Sequence, residues 1–201
     1  MAFISLPLLC QTNNDIRVKV EGLGADTVYL ANYYGSRLFY NDTTVANPDG
    51  TFSFKGKPYN ECGKYAIVLP GQVFLDFMLV NEPMEFHTSL GNPQGTMHVI
   101  ESDENIVFYD YLRFINELRK KRAPYDRVLN DSTATSENVN EAKAALAQMT
   151  SEVYEYQNRI IEDPKMFLFG KYLNMMKDIE VPEAPEGVEN PDMWRYQYYR
   201  N

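Results

Sequence analysis

Four side chains could support metal or redox chemistry in this sequence: Cys10, Cys62, His87 and His98. The two cysteines are too far apart to form a CxxC pair or a zinc knuckle, and the two histidines fall on separate predicted strands. Cys62 is flanked by Asn60, Glu61 and Gly63, with no cation to stabilise a thiolate, so it is expected to be a half-buried, inert thiol. Carboxylate pairs occur at Asp103 with Glu104 and at Glu152 with Glu155, but on predicted helices with nothing to polarise them, which reads as solvated faces. Gly22, Leu23 and Gly24 lack the third glycine and the following helix that a phosphate cradle needs, so they read as a hairpin turn. No nucleophile elbow, P-loop or zinc-protease motif is present. The sequence therefore assigns no catalytic, cofactor-binding or metal-ligating residue. Recognition chemistry is a different matter. Tyr33, Tyr34 and Arg37 surround Gly35 and could offer two rings and a guanidinium to a partner, although ordinary hairpin packing also accounts for them. Trp194 and Tyr198 lie in a second aromatic cluster near the end of the chain.

Charge narrows the partners. The formal net charge is −9, from 28 acidic and 19 basic residues, which opposes binding to a phosphate backbone. The one dense basic run, Arg119, Lys120, Lys121 and Arg122, falls where a helix is expected to end and complements the negative end of its dipole. The expected partner is another protein or a further C-terminal domain of the same polypeptide, with a homodimer as a further option, and no nucleic acid.

The elements that must position these residues are legible from periodicity. Ile16, Val18 and Val20 alternate with Arg17, Lys19 and Glu21, as in a strand with one buried face. Similar short runs recur up to Ile100, broken by turn residues. Asn47, Pro48, Asp49 and Gly50 form the clearest turn, with proline fixing one dihedral and glycine free to take a positive φ, so a hairpin is expected there. About eight strands result, the pattern of a sandwich or barrel. Val18, Val20, Val28, Leu30, Phe52, Phe54, Tyr65 and Ile67 hold the alternate apolar positions and are the expected core.

At Ser102 the period changes to that of a helix, capped by Ser102 or Asp103 and expected to stop at Ala123 and Pro124. Val139, Ala142, Leu146, Met149, Val153, Tyr156 and Ile160 then follow in alternating steps of three and four, a narrow stripe suited to an antiparallel helical hairpin. Asp163 and Pro164 are expected to cap a third helix. The fold class is α+β, an N-terminal antiparallel β-sandwich followed by an α-helical hairpin or bundle. Residues 12–101 form the sandwich, 102–180 the helical region, and 181–201 a proline-rich linker with the start of another helix. Residues 1–11 read as the remnant of a signal peptide without its basic end, and the ten residues from Met1 to Cys10 are too few to span a membrane. Three readings of Cys10 remain open: a lipid acceptor, part of a cleaved leader, or part of an early strand. The aromatic cluster of Trp194, Tyr196, Tyr198 and Tyr199 needs a partner surface, so the chain is read as a fragment.

The residues from Gly22 to Gly35, those at Asp42 to Thr44 and Asp49 to Phe54, and the strand from Gly63 to Leu69 are similar to a β-domain of unknown function. That domain lies near the N-terminus of exported thioredoxin-like (AhpC/TSA, TlpA-type) thiol:disulfide oxidoreductases of Gram-negative bacteria. Ser102 to Asn105 and the closing run from Pro191 to Arg200 resemble the helical linker that follows it. The resemblance implies a periplasmic or outer-membrane-associated envelope location. It also implies a non-catalytic recognition arm, because the CxxC of such proteins is absent from this sequence. The alternative is a free-standing envelope protein that binds glycan or peptide.

Overall fold

The computed structural model describes residues 15–35, 37–56, 61–177, 183–185, 187, 188 and 190–200. Eight strands form two four-stranded sheets: β1 (Ile16–Glu21), β2 (Thr27–Tyr34), β3 (Arg37–Val45), β4 (Thr51–Phe54), β5 (Gly63–Leu69), β6 (Val73–Leu79), β7 (Met84–Ser89) and β8 (His98–Glu101). One sheet has the order β4-β1-β7-β8 and the other β3-β2-β5-β6. All pairings are antiparallel except β1 with β7, which is parallel. All eight core residues expected from alternation are buried, joined by Leu75, Phe77, Met84 and Phe86. Between Asp15 and Thr88 the described residues contain no helix longer than the single 3-10 turn Pro70–Gln72.

Two turns act differently from expectation. Gly22 to Gly24 and Asn47 to Gly50 are not hairpin turns; each carries the chain from one sheet to the other, and β4 pairs with β1 rather than β3. Local turn chemistry determines the reversal, while the choice of sheet depends on where the apolar face finds its partner. At Gly50, with φ of 78°, an added Cβ would sit 2.1 Å from the Val20 carbonyl oxygen, so this turn is pressed against β1 and requires glycine. Gly50 O in turn accepts the Val20 N–H at 3.0 Å. The connection through Gly35 is a true hairpin, with β2 and β3 antiparallel and a bulge opposite the Leu30/Ala31 step.

Helices α1 (Asp103–Asn130), α2 (Ser136–Glu162), α3 (Phe169–Met175) and α4 (Pro191–Arg200) follow the strands. Ser102 caps α1, its Oγ accepting the Asn105 N–H at 3.1 Å. The helix does not stop at Pro124 but runs through it. Pro124 removes one N–H and leaves the carbonyl four residues earlier without its donor; that carbonyl belongs to exposed Lys120, where water can replace the bond. Likewise Asp163 closes α2 rather than capping α3, which starts after Leu168.

The hairpin forms as the stripe requires. Ala142 and Ile160 are buried, Val139, Leu146, Met149, Val153 and Tyr156 are half-buried, and the Tyr156 ring stacks on Phe114 at 4.7 Å. The buried residues of α1 are confined to Glu104, Asn105, Phe108 and Tyr109 at its start, so the far end of the pair stands in solvent. Leu146 and Met149 face Ile115 and Leu118 across a narrow groove. Leu146→Asp is expected to cost about 2 kcal/mol of unfolding free energy, because a carboxylate there loses part of its water. An unchanged urea midpoint would show that this interface does not form.

Candidate functional site

The candidate site is built on the edge and outer face of the second sheet. β6 is an edge strand, and an unpaired edge is a template for unwanted pairing. Here α1 seals it. The Asn105 carboxamide acts as a one-residue strand: its Oδ1 accepts the Met78 N–H at 2.8 Å and its Nδ2 donates to the Met78 carbonyl at 2.8 Å. One turn later the Tyr109 hydroxyl donates to the Asp76 carbonyl at 2.8 Å. Both residues are almost fully buried, and desolvation pushes the Tyr109 phenol well above its usual range.

Glu104 holds the third helix. Its Oε1 accepts the N–H of Leu168 at 2.7 Å and also that of Phe169, at the start of α3. At 3% exposure this carboxylate is not part of a solvated face, as the sequence led us to expect. Glu82 completes the junction, accepting the Ser102 hydroxyl and, at 3.2 Å, the Glu104 N–H. Burial raises the Glu104 pKa, with Glu82 adding to the effect and the N–H donors opposing it. A carboxyl with a raised native pKa binds more protons when folded, so its contribution to stability falls as pH climbs from the ordinary carboxylate value to the raised one. Comparing wild type with Glu104→Gln across that window should therefore show a pH-dependent loss in wild type that the variant lacks. Parallel midpoint-versus-pH curves would refute the assignment.

Above this junction lies a cleft of about 670 Å³ between the second sheet and helices α1 and α3. Phe108, Tyr109, Phe169 and Leu173 form its buried floor, and Tyr111 and Tyr172 stand half-buried in its walls. The Phe169 ring meets Phe108 edge-on at 5.2 Å and Tyr111 at 5.6 Å, which fixes the floor. From the sheet, Lys64 and Asp76 enter as an ion pair at 2.8 Å, each about one-quarter exposed. Asp76 is a hub. Its Oδ1 accepts the Tyr33 hydroxyl at 2.8 Å, while the Lys64 ammonium lies 4.6 Å from the Tyr33 ring centre. Burial, then the bond to Asp76, raises the Tyr33 pKa, so the phenol keeps the proton it donates to Asp76. Arg113, Asn116, Arg119 and Lys120 supply the rim from α1. An apolar floor with a few converging polar groups is the usual make-up of a ligand site.

The structure places the residues singled out in the sequence in three locations. Tyr33 is fixed beside the cleft through Asp76. Tyr34 is 78% exposed at the end of β2, directly across from exposed Arg37. Trp194 and Tyr198 stack at 5.4 Å on α4. None of the five lines the cleft. Sequence reasoning missed Lys64, Asp76 and Asn105; the available signal was Asp76 itself, a lone carboxylate inside the apolar run of β6.

On the outer face of the first sheet, His87 and His98 are direct cross-strand partners, and His87 Nε2 lies 3.0 Å from Glu85 Oε1, which also pairs with Arg17 through its other oxygen at 3.0 Å. Among the described residues no group of three or more histidine, cysteine or acidic side chains converges to hold a metal. Cys62 is not a free thiol, as expected from the sequence, but is disulfide-bonded. Cys10, with the whole of residues 1–11 read from the sequence as a signal remnant, and the side chain of Tyr199 lie outside the described residues. No described helix is long and apolar enough to cross a membrane.

No protein-family profile matches the chain, and no characterised protein matches it. Among solved structures it is similar to the 5-hydroxyisourate hydrolase of Klebsiella pneumoniae, at 14% identity over 47% of this chain and 98% of that one, with a TM-score of 0.28. A likeness at that score carries no argument about fold or activity.

Proposed function

We propose that the chain is a non-catalytic recognition arm of an exported thioredoxin-like thiol:disulfide oxidoreductase, with the catalytic CxxC domain outside these residues. The observation that carries this reading is the cleft at the junction of sandwich and helices. It presents rings, an ion pair and rim cations to a ligand but aligns no nucleophile with a base. The disulfide at Cys62 supports an oxidising compartment, because such bonds are rare where thiols are kept reduced. The resemblance noted in the sequence supplies the link to a thioredoxin-like partner. Its turn residue Gly50 and its strand β5 fall at positions that shape the sandwich.

A second reading, a free-standing envelope binding protein, is favoured by one feature: the cleft is walled by this chain's own helices and sheet. The two separate cleanly in the native polypeptide isolated from its source. The arm reading expects an intact mass well above 23.2 kDa and turnover in insulin reduction, and it expects the 201-residue chain by itself to give no turnover. A native polypeptide of this size with no reductase activity would support the free-standing protein and defeat the arm.

A further inference from the structure

The cationic rim of the cleft identifies the class of ligand. The protein as a whole carries an excess of nine negative charges, yet four cations, Lys64, Arg113, Arg119 and Lys120, line the cleft against two carboxylates, Asp76 and Glu117. Most of these are already paired. Lys64 is bound to Asp76 at 2.8 Å, Arg113 to Asp110 at 2.5 Å, and Lys120 to Glu117 at 2.6 Å. Arg119 has no acidic partner among the described residues, and its guanidinium is left at the rim with five donors to offer. Next to it the Lys120 pair is largely exposed, with side chains 73% and 62% accessible, so Lys120 can exchange partners at little cost. Below the rim the surface is aromatic: Tyr111 and Tyr172 in the walls, Phe169 in the floor. A cleft that offers an unpaired guanidinium above a ring-lined slot fits a molecule with a negative head and an apolar body. A positive rim on an acidic protein also focuses anions toward one place.

The geometry points to an organic anion as the ligand of this cleft: a carboxylate, sulfonate or phosphate held by Arg119 and Lys120, on an aromatic or aliphatic body lying against Tyr111 and Tyr172. This rests on the reading of the cleft as a recognition surface. It narrows what that surface recognises from any partner to an acidic, apolar one, such as the carboxylate end of a peptide chain with a large apolar side chain.

Two fluorescent probes that share their rings test it: 8-anilinonaphthalene-1-sulfonate, and N-phenyl-1-naphthylamine, which lacks the sulfonate. The full chain is titrated with each, and amide shifts locate the bound probe. The sulfonate should bind the more tightly and perturb the amides of Arg113, Asn116 and Tyr172. Arg119→Glu combined with Lys120→Glu should weaken the sulfonate by about tenfold or more while leaving the neutral probe unchanged. Tyr172→Ala should weaken both. Arg119 and Lys120 are exposed, so the charge variants keep the fold, which the far-ultraviolet spectrum checks. Equal affinity for the two probes, or a sulfonate affinity untouched by the charge reversals, overturns the ligand class while the cleft still stands as a recognition surface. Sulfonate binding at the cleft in a native polypeptide that lacks a CxxC domain overturns the arm reading and leaves the ligand class intact.

Discussion

Phe169→Ala is expected to lower the unfolding free energy by about 4 kcal/mol, the range for removing a fully buried ring. The side chain is 1% exposed and closes the floor of the cleft, meeting Phe108 edge-on and Tyr111 at an angle. Its own N–H is bound to the buried Glu104 carboxylate. Removing the ring leaves a void that cannot collapse easily, because Phe108 and Tyr109 are held by the sheet edge and Glu104 keeps α3 at its place. The loss should therefore appear as a lower urea midpoint for the whole chain rather than as fraying of one helix. A change below about 1 kcal/mol would mean that α3 does not pack on α1 as described.

Asn105→Ala should cost about 3 kcal/mol, although it deletes only three heavy atoms of an uncharged side chain. The reason is that Met78 is fully buried and its N–H and carbonyl both depend on Asn105. Truncation leaves a donor and an acceptor without partners in a place that water does not reach, and each unsatisfied group carries a penalty of about 1–3 kcal/mol. Asn105→Asp should be no rescue. A carboxylate can still accept the Met78 N–H but cannot donate to the carbonyl, and it brings a buried charge beside Glu104. Equilibrium unfolding of the two variants checks this. If the aspartate variant matched wild type, the two-pronged bond would not be what seals the edge of β6.

Much of this architecture could be read from residue spacing, because strand and helix periods are local. Ile16, Val18 and Val20 had to share a face, and they do; Val139 to Ile160 had to form a stripe, and it lies half-buried in the hairpin. What escaped was set by partners distant in sequence. The turn at Asn47 to Gly50 looked like a hairpin because proline and glycine specify a reversal and say nothing of which sheet accepts the next strand. Glu104 looked solvated because a first-turn acid usually is, and only the return of the chain at Leu168 and Phe169 buries it. Pro124 looked like a stop, yet the rule depends on whether the lost bond can be made to water, and on this face of α1 it can. Cys62 looked inert for lack of a local cation, a criterion that tells nothing about a disulfide.

The candidate site was less legible than the fold for the same reason. Tyr33 was chosen for its type and is held beside the cleft, but its setting depends on Asp76, far along the chain on another strand. The rim cations were read as a complement to the end of a helix. Once α1 continues through Pro124 to Asn130, Arg119 and Lys120 lie mid-helix, and the dipole no longer accounts for them.

We propose that the cleft recognises a partner and performs no chemistry. The most direct test is the kinetics of insulin reduction by the native polypeptide carrying Tyr172→Ala in the cleft wall. A recognition surface contributes binding that is shared by ground and transition states, so its loss should raise KM several-fold and leave kcat where it was. A fall in kcat at constant KM would place Tyr172 in the chemical step, and no change in either would mean that the cleft takes no part in handling the substrate.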